Sequence, residues 1–400
     1  MSIHAPQRIL VAPSGFKESL GADAVARAIA AGVRRVIPGV RVDEFPVPDG
    51  GEGTAAALAA STGGALVPAT VTGPVGEPVV AHWARLGGAA RGTAVVEMAA
   101  AAGLRLVPRD RRDPAATTTT GVGQLIAAAL DDGAERIVVG CGDSGTSDGG
   151  AGALTALGVR ILDRAGRVVP AGGGHLAEAA SLDFSGVHPR LAEVEMVLAC
   201  NIHNVLCGPR GVARVFGPQK GASPAEVERL SDALDAWATL LEEQSPFGGG
   251  MDVRTGAGTG ASGGLGAGLA AAFGARLAPR FEVLLDGGLM PHDLDALMTE
   301  ADLVITAEGA IDFQTPRGKV PAEIAMRARV AGVPVLGLAG SLGRGAPAVH
   351  DIGIDAIASI LTVPMPLEEA VEHGEELLRD AAERTMRLVL LGSAMSARAA

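Results

Sequence analysis

Short apolar runs alternate with helical segments over the last third of the chain, and this alternation constrains the fold more than any other feature of the sequence. Strands that alternate with helices at this spacing form right-handed βαβ units around a parallel sheet. We therefore predict an α/β fold. The predicted order is a strand at 281–285, a helix at 293–299, a strand at 303–306, a helix at 320–330, strands at 333–338 and 356–360, and a helix at 367–391.

Two further strands, at 8–13 and 42–47, are predicted near the start of the chain, where they flank a segment with helical spacing. Residues 65–98 differ, because Gly and Pro separate their β-like runs in the manner of antiparallel hairpins. A chain of 400 residues is too long for one ordinary core. We predict two α/β domains: a discontinuous, Rossmann-like parallel-sheet domain at 1–62 and 283–400, and an inserted mixed α/β domain at 63–282.

Composition restricts the partners and the location. A formal net charge of −12 disfavours nucleic acid and anionic membranes, so neither is expected as a partner. Apolar runs near 18 residues without Gly or charge are absent from the sequence, and the start, MSIHAPQRIL, lacks the pattern of a signal peptide. We expect a cytoplasmic protein. The cysteines Cys141, Cys200 and Cys207 show no metal-ligand spacing and are predicted to be buried thiols.

Lysine is rare, since only Lys17, Lys220 and Lys319 are lysines among 33 cationic residues. All three lie in loop-like stretches. A compact ammonium binds phosphate as a point charge, which a planar arginine fork does not reproduce. The retention of lysine at these positions therefore indicates a functional requirement.

Polar loops follow several predicted strands, where an open α/β sheet usually binds its ligand. The last apolar run opens into Glu308, Asp312 and Lys319, and two carboxylates with one ammonium can hold a metal ion and a phosphate. A solvated turn with an incidental salt bridge is the alternative. Comparable loops are Ser14 to Lys17, the PDGGEGT loop with Asp49, Gly50, Gly51 and Glu52, and the CGDSGTSDGG loop with Asp143, Ser144, Ser147 and Asp148. Thr54 is a candidate cap for the helix after PDGGEGT.

Two stretches are candidates for phosphate binding. Threonines 117–120 precede a helix, so their hydroxyls and the helix amides form an anion site if they face the cleft, and are caps otherwise. Residues 256–268 contain a nominal G-x-G-x-x-G, but the segment before it is too short and polar for a dinucleotide site. A glycine-rich loop around a nucleotide phosphate is the better interpretation.

Seven stretches resemble the type I glycerate kinases in order and in spacing, over almost the entire chain. They read PSGFKESL, PDGGEGT, VVEMAAAAGLRLVP, GTSDGGAGALTALG, VFGPQKGA, GASGGLGAGL and ITAEGAIDFQTPRGKVP. The resemblance implies two α/β domains with the active site in the cleft between them. It also implies ATP and Mg²⁺ as cofactors and phosphorylation of D-glycerate, which in bacterial members occurs at the 2-hydroxyl and gives 2-phosphoglycerate.

The resemblance also suggests roles for the candidate residues, because phosphoryl transfer needs acids for Mg²⁺ and cations for the phosphates. The predicted catalytic residues are Lys17, Asp49, Asp148, Asp312 and Lys319, with Asp148 and Asp312 as metal ligands. The predicted substrate-binding residues are Ser14, Gly50, Gly51, Glu52, Ser144, Asn201, Lys220 and Glu308. The predicted nucleotide-binding residues are Thr119, Thr120, Gly258, Gly260, Gly263 and Gly264.

Several positions depart from the usual pattern of the family, among them the start at Ser14 to Glu18, Asn204-Val205 and three single residues. Asn201 stands where Asp is common, Ala310 where Arg is common, and Ser147 where Asn is common. These loop positions bear on the acceptor more than on phosphoryl transfer. The alternatives are therefore a kinase for another small hydroxy acid, such as a tetronate, and a catalytically silent metabolite-binding homologue. A homodimer is compatible with the sequence, which does not fix the oligomeric state.

Overall fold

The computed structural model describes residues 5–16 and 19–399, with side chains described as far as Met395. The strands are β1 (Arg8–Val11), β2 (Arg41–Glu44), β3 (Ala65–Thr72), β4 (Pro78–Arg85), β5 (Thr93–Glu97), β6 (Arg136–Gly140), β7 (Arg160–Leu162), β8 (Ser181–Asp183), β9 (Glu195–Cys200), β10 (Arg276–Pro279), β11 (Leu303–Ile311), β12 (Val335–Leu342) and β13 (Ala356–Ser359). The α-helices are α1 (Ala22–Val36), α2 (Thr54–Thr62), α3 (Met98–Ala102), α4 (Thr120–Asp131), α5 (Ala151–Ala156), α6 (Val212–Phe216), α7 (Pro224–Gln244), α8 (Ala261–Phe273), α9 (Arg280–Leu284), α10 (Leu294–Thr299), α11 (Val320–Ala331), α12 (Leu367–Glu372) and α13 (Gly374–Ala399).

The chain divides into two compact units, here called unit 1 (1–48 and 292–400) and unit 2 (49–291). These limits differ from the predicted boundaries at 62/63 and 282/283. The reason is packing: α2 contacts β3, β4 and β5, and α9 contacts β9 and β10, so the segments 49–62 and 283–291 belong to unit 2.

Unit 1 contains a five-stranded sheet in the order β13-β12-β11-β1-β2, and every pair in it is parallel. Helix α1 buries Val25, Ile29 and Val33, which recur every fourth residue and so share one face. This helix packs closely on α13, since a Cβ at Gly32 would lie 2.1 Å from the carbonyl oxygen of Arg379. The apolar start of β11 is wholly buried, as expected for a parallel strand covered on both faces.

Unit 2 contains a six-stranded sheet in the order β10-β9-β6-β5-β4-β3. The β3–β4 and β4–β5 pairs are antiparallel, as the hairpin pattern predicts, while β5, β6, β9 and β10 run parallel. A small hairpin of β7 and β8 lies apart from this sheet. The predicted α/β class, with one parallel-sheet and one mixed-sheet domain, is confirmed.

One predicted strand is wrong. Residues 281–285 lie in and just after helix α9, which buries Phe281, Val283 and Leu284. A short apolar run fits a buried strand and a buried helix equally well by periodicity. Cys200 and Cys207 are buried, as predicted, whereas Cys141 is partly exposed. No helix in the described part of the chain is long and apolar enough to cross a membrane.

Candidate active site

In unit 1 the polar groups lie at the carboxyl ends of β1 and β11, which are neighbours in the sheet. The backbone N–H of Ser14 donates to the carbonyl oxygen of Ala307 at 2.9 Å, and the Ser14 hydroxyl donates to the same oxygen at 3.1 Å. Because its N–H makes this bond, Ser14 extends the hydrogen-bond ladder between the two strands, and it is buried. The predicted catalytic residue Lys17 lies outside the described residues.

Glu308, Asp312 and Lys319 form what we call the acid–lysine cluster. The Lys319 ammonium lies 3.1 Å from Glu308 Oε1 and 3.7 Å from Asp312 Oδ1. Lys319 sits at the start of α11, and the Thr315 hydroxyl donates to Glu308 Oε2 at 3.4 Å. The exposed fraction of the side chain is 28% for Lys319, 14% for Glu308 and 24% for Asp312. The structure thus brings together three of the predicted residues in a place that water reaches.

The acid–lysine cluster offers ligands of the kind that Mg²⁺ takes in proteins. Among the described residues there is no group of three or more His, Cys, Asp or Glu side chains placed to hold a metal ion by themselves. Mg²⁺ usually keeps several waters and is bound by one or two carboxylates together with substrate phosphates. Glu308 and Asp312 supply two such carboxylates, and Lys319 supplies the adjacent positive charge.

In unit 2 the loop at 49–53, here called the acceptor loop, lies over the ends of β6 and β9. The carbonyl oxygen of Gly50 accepts from the N–H of Gly142 at 2.8 Å. A Cβ at Gly51 would lie 2.6 Å from Asp143 Oδ2, so glycine is required by this close approach. Both glycines are buried. They pack the acceptor loop against its neighbour. Their role in substrate binding stays a prediction.

Partly exposed polar groups surround this loop. Asp49 Oδ1 accepts from the Gly51 N–H at 2.9 Å, and the Arg280 guanidinium donates to the Asp49 carbonyl at 3.4 Å. Glu52 pairs with Arg105 at 3.0 Å. Ser144 and Asn201 follow β6 and β9 and are partly exposed at the same ends of those strands.

Sequence reasoning did not select Arg280 or Ser262, and it named Asp143 as part of the CGDSGTSDGG loop without giving it a role. Asp143 and Ser262 have φ values of 54° and 53°, in the left-handed region that non-glycine residues rarely adopt. Such backbone strain is concentrated at functional sites. The Ser262 hydroxyl donates to the Cys141 carbonyl at 3.1 Å and so ties the 256–268 segment to the end of β6. The feature that could have identified Arg280 as a site residue is its position directly after the strand β10.

Asp148 lies in the interior of unit 2. Its carboxylate is fully buried and accepts from the backbone N–H groups of Thr119, Gly150 and Gly152 and from the Thr119 hydroxyl, at 2.7 to 3.2 Å. Burial raises the pKa of Asp148, while these hydrogen bonds oppose the rise. Both oxygens are engaged at the starts of α4 and α5, so the carboxylate links these two helix starts. The assignments of Asp148 as a catalytic residue and as a metal ligand stay predictions.

Lys220 is also buried, at 2% exposure. Its ammonium donates to the Thr146 carbonyl at 2.6 Å and to the Ser144 hydroxyl at 3.0 Å. Burial lowers the pKa of Lys220 to about 7, and the nearby Asp148 carboxylate opposes this shift. Lys220 supports the loop that carries Ser144. Its contact with substrate stays a prediction.

The predicted nucleotide-binding residues lie inside unit 2. A Cβ would lie 2.3 Å from the Val205 carbonyl at Gly260 and 2.0 Å from the Thr146 carbonyl at Gly263. Gly258 and Gly264 are equally buried. Thr119 is fully buried on Asp148, and the Thr120 hydroxyl bonds that of Thr118 at 2.8 Å. The four glycines and Thr119 are thus packed within unit 2, whereas Thr120 is partly exposed. Nucleotide binding by these residues stays a prediction.

The fold and the polar groups at the strand ends are those of an α/β enzyme, a class in which ligands usually bind at the carboxyl ends of the parallel strands. The chain belongs to the glycerate kinase family, whose family model matches residues 9–390. It is 44% identical over 380 residues to the glycerate kinase of Bacillus subtilis (strain 168). The matched region covers 95% of this chain and 96% of the relative.

Two further relatives agree with this assignment. The glycerate 2-kinase of Escherichia coli (strain K12) is 44% identical over 363 residues, covering 91% of this chain and 93% of the relative. A crystal structure provisionally assigned as glycerate kinase 2 from Salmonella typhimurium LT2 matches with a TM-score of 0.77 and 41% identity, covering 96% of this chain and 99% of that one.

Proposed function

We propose that this protein is a kinase that transfers the γ-phosphoryl group of ATP to the 2-hydroxyl of D-glycerate and gives 2-phosphoglycerate. Family membership and relatives named for glycerate phosphorylation support the reaction. The structural observation that carries the proposal is the acid–lysine cluster, with its ammonium 3.1 and 3.7 Å from two partly exposed carboxylates.

The acid–lysine cluster supplies the groups that phosphoryl transfer requires. This transfer depends on positioning and on neutralisation of charge more than on covalent chemistry. Glu308 and Asp312 would hold Mg²⁺, which supplies charge neutralisation for the nucleotide phosphates when it is bound. Lys319 places a fixed ammonium toward the transferred phosphoryl group, where negative charge spreads over the oxygens.

We assign the acceptor to the carboxyl ends of the parallel strands of unit 2. Arg280 carries a planar guanidinium that matches a carboxylate, and Ser144 and Asn201 provide polar groups for hydroxyls. Asp49 is the candidate for orienting the acceptor hydroxyl and taking its proton. Lys17 remains a predicted catalytic residue. The common cleft, the homodimer and the cytoplasmic location also stay predictions.

The test is product analysis with the purified chain, ATP, Mg²⁺ and D-glycerate. Phosphorus NMR is expected to show 2-phosphoglycerate, with ADP formed in equal amount. The variant Lys319→Met should lose this activity, whereas Arg329→Met, at an exposed position near the end of α11, should keep it.

Three outcomes would change the assignment. Phosphate on the 3-hydroxyl would retain the kinase and refute the 2-hydroxyl. Faster turnover of a four-carbon hydroxy acid would reassign the substrate. Ligand binding without ADP formation from any hydroxy acid would identify a catalytically silent homologue.

A further inference from the structure

Helix α2, which follows the acceptor loop, has no capping side chain of its own. Gly53 occupies the N-cap position with a φ of 93°, and no side chain there accepts a hydrogen bond. The Thr54 hydroxyl was the predicted cap, but it accepts from the N–H of Gly50 at 3.0 Å and so faces the acceptor loop. The backbone N–H groups in the first turn of α2 therefore need a hydrogen-bond acceptor from another element of the fold.

Glu97 provides that acceptor from a different element. It is the last residue of β5, and its Oε1 accepts from the Ala55 N–H at 2.5 Å across 42 residues of sequence. The Gly53 N–H also donates to this carboxylate. Glu97 is 1% exposed. A buried carboxylate is favourable here because the amino end of a helix carries partial positive charge.

The acceptor loop is connected to Glu97 by a short chain of hydrogen bonds. Glu97 fixes the first turn of α2, Thr54 in that turn holds the Gly50 N–H, and the Gly50 carbonyl accepts from Gly142. A shift of α2 would therefore move the loop that carries Asp49 and its neighbours over the ends of β6 and β9.

The charge of Glu97 is sensitive to pH near neutrality. Burial raises its pKa to about 7, the amides of Ala55 and Gly53 oppose the rise, and the negative charges of Glu52 and Asp49 add to it. The ionised carboxylate accepts on both oxygens, whereas protonation converts one oxygen into a donor. The charged or titratable groups at this end of unit 2 are Asp49, Glu52, His82, Arg105, Asp143 and Arg280.

We propose that Glu97 is a positioning residue for the acceptor loop, and that it sets the affinity for the hydroxy acid by holding the first turn of α2. Glu97 does not touch substrate in this scheme. The inference rests on the proposed function for its kinetic test, and it carries a second test that needs no activity.

The kinetic test compares the wild type with Glu97→Gln, which keeps the size of the side chain and loses the charge. In the wild type the KM for glycerate is expected to fall as Glu97 ionises, between about pH 6 and about pH 8. In Glu97→Gln the KM should be raised about tenfold and should not fall with this pH change, because the neutral amide accepts more weakly from the α2 backbone than the carboxylate does. Both kcat and the KM for ATP should change less than about threefold.

A second variant separates the loop connection from the buried charge. Thr54→Val removes the acceptor for the Gly50 N–H and leaves Glu97 in place. We expect a raised KM for glycerate at every pH, with the wild-type pH trend retained. If Glu97→Gln does not fold, this variant and the pH trend of the wild type decide the question.

Hydrogen–deuterium exchange tests the inference without catalysis. Amides 50–55 should exchange faster in Glu97→Gln than in the wild type after correction for intrinsic rates, and Glu193→Gln, at an exposed position, should leave them unchanged. If the wild type does not phosphorylate glycerate, the proposed function fails while exchange still tests Glu97. A folded Glu97→Gln with wild-type KM, pH trend and exchange would refute the inference, as would an effect confined to kcat.

Discussion

The charged groups of the two units differ in what they bind. In unit 1, Glu308, Asp312 and Lys319 are partly exposed and pair with one another. In unit 2, Asp148 and Lys220 are at most 2% exposed and bind backbone and side-chain groups of neighbouring loops. An acidic or basic residue in a glycine-rich motif therefore indicates that charge is needed there. It does not tell whether the charge meets a ligand or holds the loop.

The largest effect is expected where a buried charge is removed from unit 2. Asp148→Ala leaves three backbone N–H groups without their acceptor, so the free energy of unfolding should fall by about 3 kcal/mol or more. Denaturant unfolding measures this change. Asp312→Ala is the matched variant in unit 1 and should cost less than about 1 kcal/mol, since that carboxylate is partly exposed. Equal losses would remove the distinction between the two units.

Removal of the partly exposed Lys319 ammonium of unit 1 should lower the catalytic rate and leave the free energy of unfolding nearly unchanged. Lys319→Met is expected to lower kcat by a hundredfold or more, on the order of 3 kcal/mol of transition-state stabilisation. The free energy of unfolding should change by less than about 1 kcal/mol, because the pairs that Lys319 makes are open to water. Steady-state kinetics and denaturant unfolding on one preparation decide this. A loss of stability that matches the loss of rate would place Lys319 among the structural charges.

The buried amine of unit 2 should make stability depend on pH. Burial lowers the pKa of Lys220 from 10.5 to about 7, so the folded state binds fewer protons than the unfolded chain between these values. Stability contributed by this group therefore rises as pH increases from about 7 to about 10, by up to roughly 5 kcal/mol. Lys220→Met should remove this rise. Unfolding free energies of both proteins across that range provide the measurement, and parallel curves would contradict the prediction.

The smallest effect is expected at the Glu52–Arg105 pair, where the charges of unit 2 are more exposed than those of the acid–lysine cluster in unit 1. Both side chains are about half exposed at 3.0 Å separation. Glu52→Gln should change the free energy of unfolding by less than about 1 kcal/mol, and added salt should reduce even that difference. Denaturant unfolding at low and high salt tests this. A loss comparable with that of Asp148→Ala would show that exposure is not what separates the two groups of charges.

Much of the fold was predictable from the sequence because parallel strands covered on both faces have a simple signature. The run at 303–305 is apolar, and β11 includes it together with Thr306, with all four residues buried. The hairpins at 65–98 were equally visible, since turn residues separate their strands. The 281–285 run failed because so few apolar residues fit two kinds of buried element.

The candidate site was less predictable, since its contacts join residues that are distant in sequence. Glu97 caps a helix that begins 43 positions earlier, counting from Thr54 to Glu97, and no local pattern reveals such a contact. Gly260 and Gly263 look like a phosphate loop in sequence, yet their free space is taken by the Val205 and Thr146 carbonyls. Periodicity detects which face of an element is buried, but it does not identify the atom that a loop glycine approaches.

The position of β1 in its sheet has a consequence for synthesis on the ribosome. β1 lies between β2 and β11, and its partner Leu303 stands opposite Ile9, almost three hundred residues later in the chain. Non-local strand pairing of this kind is slow, and domains generally fold as units while the chain emerges. The segment at 49–291 can thus form its own core first. Until β11 has been synthesised, the side of β1 that pairs with it stays an unpaired strand edge. Premature release or stalling between these events would expose that edge to aggregation.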